Sequence, residues 1–324
     1  MKVCYGYRNL AGKFKNPVVA IGVFDGVHKG HRRVLKKLVE VKGSGKEKVV
    51  VTFDPHPQTV LKTGRGVPRI MTLEHRMAII EKLGIDAVVV IRFTDFVASL
   101  SPEEFVKRII MTIGAKEIFV GKNFYFGKKK SGNSNKLKKI CKKNEIKVRT
   151  VSSVRKVGKV VSSTLIRKLI SKGDLRGAEM LLMRPVSVYG TVIRGDARGQ
   201  AFGVPTANLD PHHEVAPPSG VYAIKAEIDK KFYDGVLNIG FRPTFYGSKL
   251  SKREEPLIEV HLLDFKKDLY GQNVEVYFIK KLRNEKKFKE ESLLVAQIKK
   301  DIQRAEKILK NKKALQKIVF HRVK

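Results

Sequence analysis

The chain has 324 residues, which is long enough for two domains with separate hydrophobic cores. Hydrophobic residues make up 42% of it, and no apolar run approaches the roughly 20 residues that a membrane-spanning helix needs. The first residues lack the apolar stretch and the small-residue cleavage site of a signal peptide. Cys4 and Cys141 are too few for a disulfide framework or a cysteine metal site. We therefore expect a cytoplasmic protein with no membrane partner.

The formal net charge is +36, from 67 basic and 31 acidic residues. Between Lys122 and Arg176 there are 18 basic residues and two acidic ones. Such a charge attracts polyanions such as nucleotides, RNA or acidic membranes. However, the lysines are spread through predicted helices and are not interleaved with the aromatic residues that single-strand binders use for stacking. We interpret most of the charge as a solvated surface and expect no nucleic-acid partner.

The first half of the chain alternates short apolar runs with helical patterns. The predicted strands are Val18–Phe24, Val49–Phe53, Ala87–Phe93, Ile118–Val120 and Ile146–Val151. The predicted helices are His31–Val41, Leu73–Leu83, Pro102–Ile113 and Leu137–Lys143. Ser101 followed by Pro102 is a typical helix start. The alternation predicts a parallel, doubly wound α/β sheet with ligands at the carboxyl ends of its strands.

The pattern changes after Arg184-Pro185. Five strands are predicted with glycine and proline turns between them: Val186–Ile193, Gly220–Ile228, Phe232–Ile239, Leu257–Leu263 and Val274–Ile279. Strands without intervening helices predict an antiparallel β-barrel. Residues 286–319 predict a C-terminal helix with an apolar stripe that packs on the barrel: Leu293, Leu294, Ile298, Ile302, Ala305 and Leu309. We expect one domain over residues 1–183 and another over residues 184–324.

The most informative segment is Phe24-Asp25-Gly26-Val27-His28-Lys29-Gly30-His31, where the first predicted strand passes into a helix. A helix N-terminus offers free backbone N–H groups and the positive end of its dipole to a phosphate. Imidazoles add donors that can carry charge near neutral pH, and Gly30 allows a ligand to approach the backbone. A pair of surface histidines or of metal ligands is the alternative, but the strand–turn–helix context favours a polyphosphate site.

Two further segments follow predicted strands of the first half. Asp54 follows the second strand, beside two prolines that stiffen the exit. Asn123 follows the fourth strand, and with Phe124 and Phe126 it could hold a flat ring and contact its edge. A plain loop explains Asp54 equally well, and core packing explains the phenylalanines equally well.

A third segment opens a helix near the end of the first half. The hydroxyl and N–H groups of Ser163 and Thr164 can bind a phosphate, and Arg167 supplies a guanidinium one turn later. An ordinary helix cap is the equal alternative.

Glycines, a hydroxyl and an amide cluster early in the second half. The glycines would allow backbone amides to approach phosphates; they are Gly190, Gly195, Gly199 and Gly203. Thr206 and Asn208 offer the oxygen ligands that Mg²⁺ prefers. A glycine-rich barrel turn is the alternative.

The strand 257–263 alternates clearly between apolar and polar residues. Ile258, Val260 and Leu262 share one face, so Glu259 and His261 share the other. A carboxylate on a rigid strand suits a general base for a primary hydroxyl, which contributes about 10²–10⁴-fold. An exposed glutamate on a half-solvated strand is the alternative.

Four motifs of the first half, residues 22–31, 52–57, 121–127 and 162–167, resemble in order the adenylyltransferase half of a bacterial family. This is the bifunctional riboflavin kinase/FMN adenylyltransferase family, often called FAD synthetase. The resemblance implies a Rossmann-like nucleotidyltransferase domain that transfers AMP from ATP to FMN, with His28 and His31 stabilising the triphosphate. It also implies ATP binding by Gly22, Phe24, Asp25, Gly30, Ser163, Thr164 and Arg167. Flavin or nucleotide binding is implied for Asp54, Asn123, Phe124 and Phe126.

The second half resembles the riboflavin kinase half of the same family at residues 203–209, 238–245, 259–265, 268–271 and 282–288. The resemblance implies transfer of the γ-phosphate of ATP to the ribityl 5′-hydroxyl of riboflavin. Glu259 would accept the proton, and Thr206 and Asn208 would coordinate Mg²⁺. ATP binding in this half is implied for Gly190, Gly195, Gly199, Gly203, Asn238 and Arg242.

The sequence departs from the family pattern at three positions. Asn123 stands where many relatives have Asp, Lys130 where many have Arg, and Met183 where many have Gly. None of these changes removes a reactive group. We expect riboflavin, FMN and ATP as substrates, and FMN and FAD as products. The alternatives are an enzyme that retains one of the two activities, and a basic nucleic-acid-binding protein.

Overall fold

The structure is a computed structural model that describes residues 1–61, 68–156, 158–194, 204–241, 256–265 and 267–310. The chain divides into two compact units. The first contains Met1–Arg69 and Leu73–Ser163, and the second contains Ile70–Thr72 and Thr164–Lys324. A domain boundary between residues 183 and 184 stays a prediction.

The first unit contains ten described strands. They are β1 (Lys2–Tyr5), β2 (Val18–Ile21), β3 (Lys48–Asp54), β4 (Ala87–Arg92), β5 (Glu117–Gly121), β6 (Tyr125–Phe126), β7 (Gly132–Asn133), β8 (Lys147–Val151), β9 (Arg155–Lys156) and β10 (Lys159–Val160). Six of them form a parallel sheet in the order β1-β4-β3-β2-β5-β8. β6 pairs with β7 and β9 pairs with β10, both antiparallel.

The helices of the first unit are α1 (Lys29–Val39), α2 (Pro57–Leu61), α3 (Leu73–Glu81), α4 (Asp95–Ser99), α5 (Pro102–Phe105) and α6 (Ser134–Lys142). A π-helical segment, Val106–Met111, continues α5. α5 starts as predicted: Ser101 is its N-cap, Pro102 is its first residue, and Ser101 and Glu104 form a reciprocal capping box. α1 buries the apolar face formed by Val34, Leu35 and Leu38.

The predicted doubly wound sheet is confirmed, and its strand order decides where a ligand can bind. From β2 the chain proceeds to β3 and β4 on one side and then returns to β5 on the other. The order therefore reverses between β2 and β5, and the loops after these two strands border a crevice. β2 ends at Ile21, earlier than predicted, and the left-handed backbone of Phe24, with φ of 55°, is incompatible with a strand that reaches that residue.

The second unit begins with α7 (Ser163–Ser171), whose first residue belongs to the first unit, and α8 (Leu175–Leu182). Six strands follow: β11 (Ser187–Ile193), β12 (Ala207–Asp210), β13 (Gly220–Ile228), β14 (Lys231–Phe241), β15 (Pro256–Leu262) and β16 (Asn273–Arg283). They close an antiparallel barrel in the order β11-β12-β15-β14-β13-β16, which confirms the prediction.

The C-terminal helix α9 (Glu291–Leu309) packs on the barrel as predicted. Ala305 and Leu309 lie in one hydrophobic cluster with barrel residues of β13 and β16. Asp301, which is 2% exposed, accepts a hydrogen bond of 2.7 Å from Nε of Arg283. The predicted stripe is wrong at Leu293, which is 53% exposed, because the fully buried positions lie only in the second half of the helix. The predicted continuation to residue 319 lies outside the described residues.

Two expectations about membranes and thiols can be compared with the structure. None of the described helices combines the length and the apolar character needed to cross a bilayer. Cys4 and Cys141 are both free thiols, and Cys141 is buried.

Candidate active sites

His28 caps the N-terminus of α1 with its own side chain. Its Nδ1 atom accepts hydrogen bonds from the backbone N–H groups of Gly30 at 3.2 Å and His31 at 3.3 Å. Because Nδ1 is an acceptor, the neutral ring carries its proton on Nε2. The expectation of free N–H groups is therefore wrong for Gly30 and His31, whose donors are directed at the imidazole.

The two imidazoles stack face to face, with ring centroids 3.6 Å apart and planes 15° apart. Phe24 contacts the His31 ring edge-on at 5.4 Å and is 2% exposed. A Cβ atom at Gly22 would come within 3.1 Å of the Phe24 ring, and one at Gly30 would come within 3.1 Å of His28 Cε1. Both glycines therefore leave room for the rings that fix the histidine pair.

The surroundings of the histidine pair oppose protonation of His31. Burial, the neighbouring His28 and the cation of Arg76 hold the pKa of His31 well below its usual value of 6.5. Nδ1 of His31 is buried and has no hydrogen-bond partner within the described residues. The lowered pKa of His31 therefore disfavours the charged ring that the sequence leads us to expect near neutral pH.

Arg76 lies on α3, beneath the ends of two neighbouring strands. Its side chain is buried, with the residue 4% exposed. Nη1 donates to the carbonyl oxygen of Val23 at 2.6 Å, and Nη2 donates to that of Phe53 at 3.3 Å. Val23 leads into the histidine loop, and Phe53 precedes Asp54. One guanidinium therefore binds the backbone at the start of both loops.

The other predicted residues of the first unit fall into exposed and structural positions. Asp54 ends β3 and forms an ion pair with Arg69 at 3.3 Å. Asn123 is exposed after β5, and the Phe124 ring stacks on Phe126 at 5.4 Å. Phe126 is 6% exposed and belongs to the hydrophobic core, so its direct contact with a flavin is not supported.

Ser163 is linked to the histidine loop. Its hydroxyl donates to the carbonyl oxygen of Asp25 at 2.8 Å, and Asp25 is itself 2% exposed. Thr164 and Arg167 follow on α7 but belong to the second compact unit. Their assignment to the same triphosphate stays a prediction.

The barrel carries a polar row across three adjacent strands. Asn208 of β12 lies directly opposite Glu259 of β15, which in turn lies opposite Asn238 of β14. Nδ2 of Asn238 donates to Oε2 of Glu259 at 3.3 Å. Residues opposite one another in an antiparallel pair share a face of the sheet, so the three side chains are neighbours.

The predicted alternation of β15 is confirmed. Ile258, Val260 and Leu262 are 0%, 6% and 8% exposed, whereas Glu259 and His261 are half-buried on the other face. Nδ1 of His261 donates to the carbonyl oxygen of Pro205 at 2.8 Å, which ties β15 to the segment ahead of β12. That segment includes Thr206, which lies two residues before Asn208.

Comparison with known proteins gives each unit a family. The sequence matches the FAD synthetase family over residues 11–165 and the riboflavin kinase family over residues 182–309. The chain belongs to the bifunctional riboflavin kinase/FMN adenylyltransferase family.

Relatives that bear this family name match almost the whole chain. One from Buchnera aphidicola subsp. Schizaphis graminum (strain Sg) is 37% identical over 94% of this chain and 97% of its own length. One from Bacillus subtilis (strain 168) is 37% identical over 91% of this chain and 93% of its own length. A crystal structure described as a macrolide-efflux protein from Streptococcus pneumoniae has a TM-score of 0.78 and 30% identity, covering 94% of this chain and 99% of that one. The fold is therefore shared with this structure over 94% of the chain.

Five of the residues predicted to bind ATP in the kinase half cannot be assigned to a site from the structure. Gly195, Gly199, Gly203 and Arg242 lie outside the described residues. Gly190 is buried in β11, where a Cβ atom would collide with the carbonyl oxygen of Asp210. Close backbone packing in the barrel accounts for this glycine, and a contact with ATP stays a prediction.

Two residues near the sites were not singled out from the sequence. Arg76 occupies the apolar stripe of α3, three residues after Leu73 and four before Ile80. A charged residue in such a stripe is the sequence signal that indicates a special role for Arg76. Glu285 lies beside the polar row, because it approaches Gly240 from the same side as Asn238. A Cβ atom added at Gly240 would lie 3.2 Å from Oε1 of Glu285 and 3.9 Å from Nδ2 of Asn238. Glu285 belongs to the segment 282–288 that resembles the riboflavin kinase half, but the resemblance alone implies no binding or catalytic role for it.

Proposed function

We propose that this enzyme runs the two reactions of its family at two separate ATP sites, one on each unit. The chain is a bifunctional flavin-cofactor enzyme that phosphorylates riboflavin to FMN and adenylylates FMN to FAD, with ATP as co-substrate. The observation that carries the site assignment is the stacked pair of His28 and His31 at the N-terminus of α1.

In the first unit, a phosphate oxygen of FMN attacks the α-phosphorus of ATP, and the bond to the departing pyrophosphate breaks. The protein need not form a covalent intermediate, because orientation and charge stabilisation can supply most of the rate. His28 and His31 donate hydrogen bonds to the triphosphate, and the α1 dipole adds positive potential there. Asp54 at the end of β3 and the loop of Asn123 and Phe124 after β5 place FMN at the ends of the two strands that flank β2.

In the second unit, the carboxylate of Glu259 accepts the proton of the riboflavin 5′-hydroxyl as the oxygen attacks the γ-phosphorus of ATP. Asn238 orients this carboxylate through its hydrogen bond to Oε2. Because β15 is held on both sides by β12 and β14, the base projects from a rigid position. ADP is the leaving group, and the proton stays on Glu259 until solvent removes it.

Mg²⁺ fits the oxygen atoms of Thr206 and Asn208. A hydroxyl and an amide carbonyl are hard donors, and Asn208 lies opposite the carboxylate of Glu259. Within the described residues no group of three or more His, Cys, Asp or Glu could hold a metal, so phosphates and water would complete the coordination. When bound, the ion would neutralise charge on the ATP phosphates.

We also propose that the enzyme works in the cytoplasm on small molecules alone. The net charge of +36 is the single feature that favours a nucleic-acid partner, and the family match accounts for the motifs without one.

An assay with riboflavin, ATP and Mg²⁺ tests the division of labour. The double variant His28→Ala/His31→Ala should form FMN and lose FAD. The Glu259→Ala variant should lose FMN formation from riboflavin and still convert added FMN to FAD. If both variants lost both activities while folded, the assignment of one reaction to each unit would be wrong.

A further inference from the structure

Arg76 is a buried charged residue of the first unit to which the proposed chemistry gives no role. Its guanidinium binds the carbonyl oxygens of Val23 and Phe53, which are the backbone atoms at the start of the two loops. These loops leave adjacent parallel strands, β2 and β3. A planar, five-donor group can hold two such acceptors in a fixed geometry, which an ammonium cannot.

The surroundings of Arg76 keep it charged. Burial lowers the pKa of its guanidinium, while the carboxylates of Asp25, Asp54 and Glu74 oppose that shift. Arg69 is the other cation that acts on it. A guanidinium remains protonated in proteins, so a full positive charge lies under the loops.

Burying the guanidinium of Arg76 costs folding free energy, so we expect this side chain to have a role beyond packing. α3 buries Leu73, Ile79 and Ile80, and an apolar residue at position 76 would continue this face. Nε of Arg76 has no hydrogen-bond partner within the described residues, so the guanidinium is incompletely satisfied. An aliphatic side chain would fill this face without that cost but would leave the carbonyl oxygens of Val23 and Phe53 without their donor.

We propose that Arg76 is a positioning residue for adenylyl transfer, which fixes the histidine loop and the Asp54 loop relative to each other through the carbonyl groups of Val23 and Phe53. This inference rests on the proposed function, in which the first loop holds the ATP phosphates and the second helps to place FMN. Arg76 touches neither substrate; it sets the approach of the FMN phosphate to the α-phosphorus.

The role predicts a particular kinetic signature. Each loop keeps its own ligand contacts when Arg76 is replaced, so the KM values for ATP and FMN should change little. The relative placement of the two substrates is lost, and kcat should fall, since a misplacement of about 1 Å can cost about 100-fold.

The experiment measures FAD formation from FMN and ATP by the full chain, with riboflavin phosphorylation as an internal control. Arg76→Met should lower kcat about 100-fold per FMN-binding site, with KM values within about threefold. Arg76→Lys keeps the charge without the two-pronged geometry, so its kcat should lie between those of Arg76→Met and the wild type. Riboflavin kinase activity should remain within about twofold in both variants, because Arg76 belongs to the other unit.

A matched control separates positioning from stability. Ile80→Ala removes fully buried volume from the same helix, four residues after Arg76, and leaves the guanidinium and its two hydrogen bonds in place. Its melting temperature should fall at least as far as that of Arg76→Met, while its kcat per binding site stays near the wild-type value. A kcat of Arg76→Met within threefold of the wild type, or equal to that of Ile80→Ala, would overturn the proposal. If Arg76→Met does not fold, Arg76→Lys decides, and an unchanged kcat for that variant overturns the proposal as well.

Failure of the site assignment would look different. If His28→Ala/His31→Ala still formed FAD at the wild-type rate, the ATP site would lie elsewhere whatever the Arg76 variants did.

Discussion

The two functions assigned to His28, capping α1 and donating to the triphosphate, can be separated by two substitutions. Alanine removes both functions. Asparagine keeps a side-chain acceptor for the helix N-terminus and removes the imidazole. The chain already contains such a cap, because Oδ1 of Asn133 accepts hydrogen bonds from the N–H groups of Asn135 and Lys136 at 3.1 Å and 2.9 Å. Asn at position 28 can therefore satisfy the donors of Gly30 and His31.

The magnitudes follow from these contacts. Losing an N-cap side chain costs about 1 kcal/mol, so His28→Ala should lower the melting temperature of the first unit by about 2–4 °C. His28→Asn should recover most of that loss. Both variants should lose FAD synthesis by about 10²–10³-fold, the usual effect of removing one donor to developing charge. Thermal unfolding and the FMN adenylylation rate check the two parts independently.

The reasoning would be refuted in two ways. If His28→Asn retained FAD synthesis within about threefold of the wild type, His28 would act as a helix cap alone. If His28→Asn were no more stable than His28→Ala, the capping geometry would have no energetic weight. Riboflavin phosphorylation should be unaffected in both variants and serves as the folding control.

Three further predictions concern pH, the kinase base and backbone strain. The unfolded chain binds a proton at His31 more readily than the folded chain does, because the folded pKa lies below 6.5. Stability should therefore fall as the pH falls below about 6.5, with a slope from this group of at most about 1.4 kcal/mol per pH unit, and His31→Phe should reduce that slope in urea unfolding. Glu259→Gln should lower riboflavin phosphorylation by about 10²–10⁴-fold, measured as FMN formed, and leave adenylylation of added FMN intact. Met183→Gly should stabilise the chain by about 0.5–1 kcal/mol, measured by denaturant unfolding, because Met183 ends α8 at a φ of 59° that glycine adopts without strain.

Each of these has a control within the chain. If the pH dependence of the unfolding free energy were unchanged in His31→Phe, the lowered pKa of His31 would be contradicted. Glu227→Gln changes another barrel carboxylate, one that accepts from the Tyr277 hydroxyl, and should leave kinase activity within twofold; equal losses for Glu227→Gln and Glu259→Gln would deny Glu259 its role. Met180→Gly places glycine at an exposed position inside α8 and should destabilise by about 1 kcal/mol; the same sign for Met180→Gly and Met183→Gly would contradict the strain argument.

The fold was largely predictable because each half has a clear period. Runs such as Val49–Phe53 and Ala87–Ile91 are buried on both faces of a parallel sheet and form continuous apolar segments. β1 was missed because Lys2–Tyr5 is short and mostly exposed, and it takes its place only by pairing with β4. β12 was missed because its four residues follow a glycine- and proline-rich stretch that reads as a turn.

The sites were predictable in their residue types but not in their electrostatics. The sequence places His28 and His31 at a helix start, yet the pKa of His31 depends on burial, on His28 and on Arg76, which is 45 residues further along the chain. Similarly, alternation assigns Glu259 a face, but its neighbours Asn208 and Asn238 follow from barrel register. Register and long-range charge come from tertiary structure, which local patterns do not contain.

The number of ATP sites is the most direct test of two separate catalytic centres. Calorimetric titration of the full chain with a non-hydrolysable ATP analogue and Mg²⁺ should give two molecules bound per chain, and His28→Ala/His31→Ala should weaken one of these binding events and leave the other unchanged. One analogue bound per wild-type chain at saturation would contradict the account.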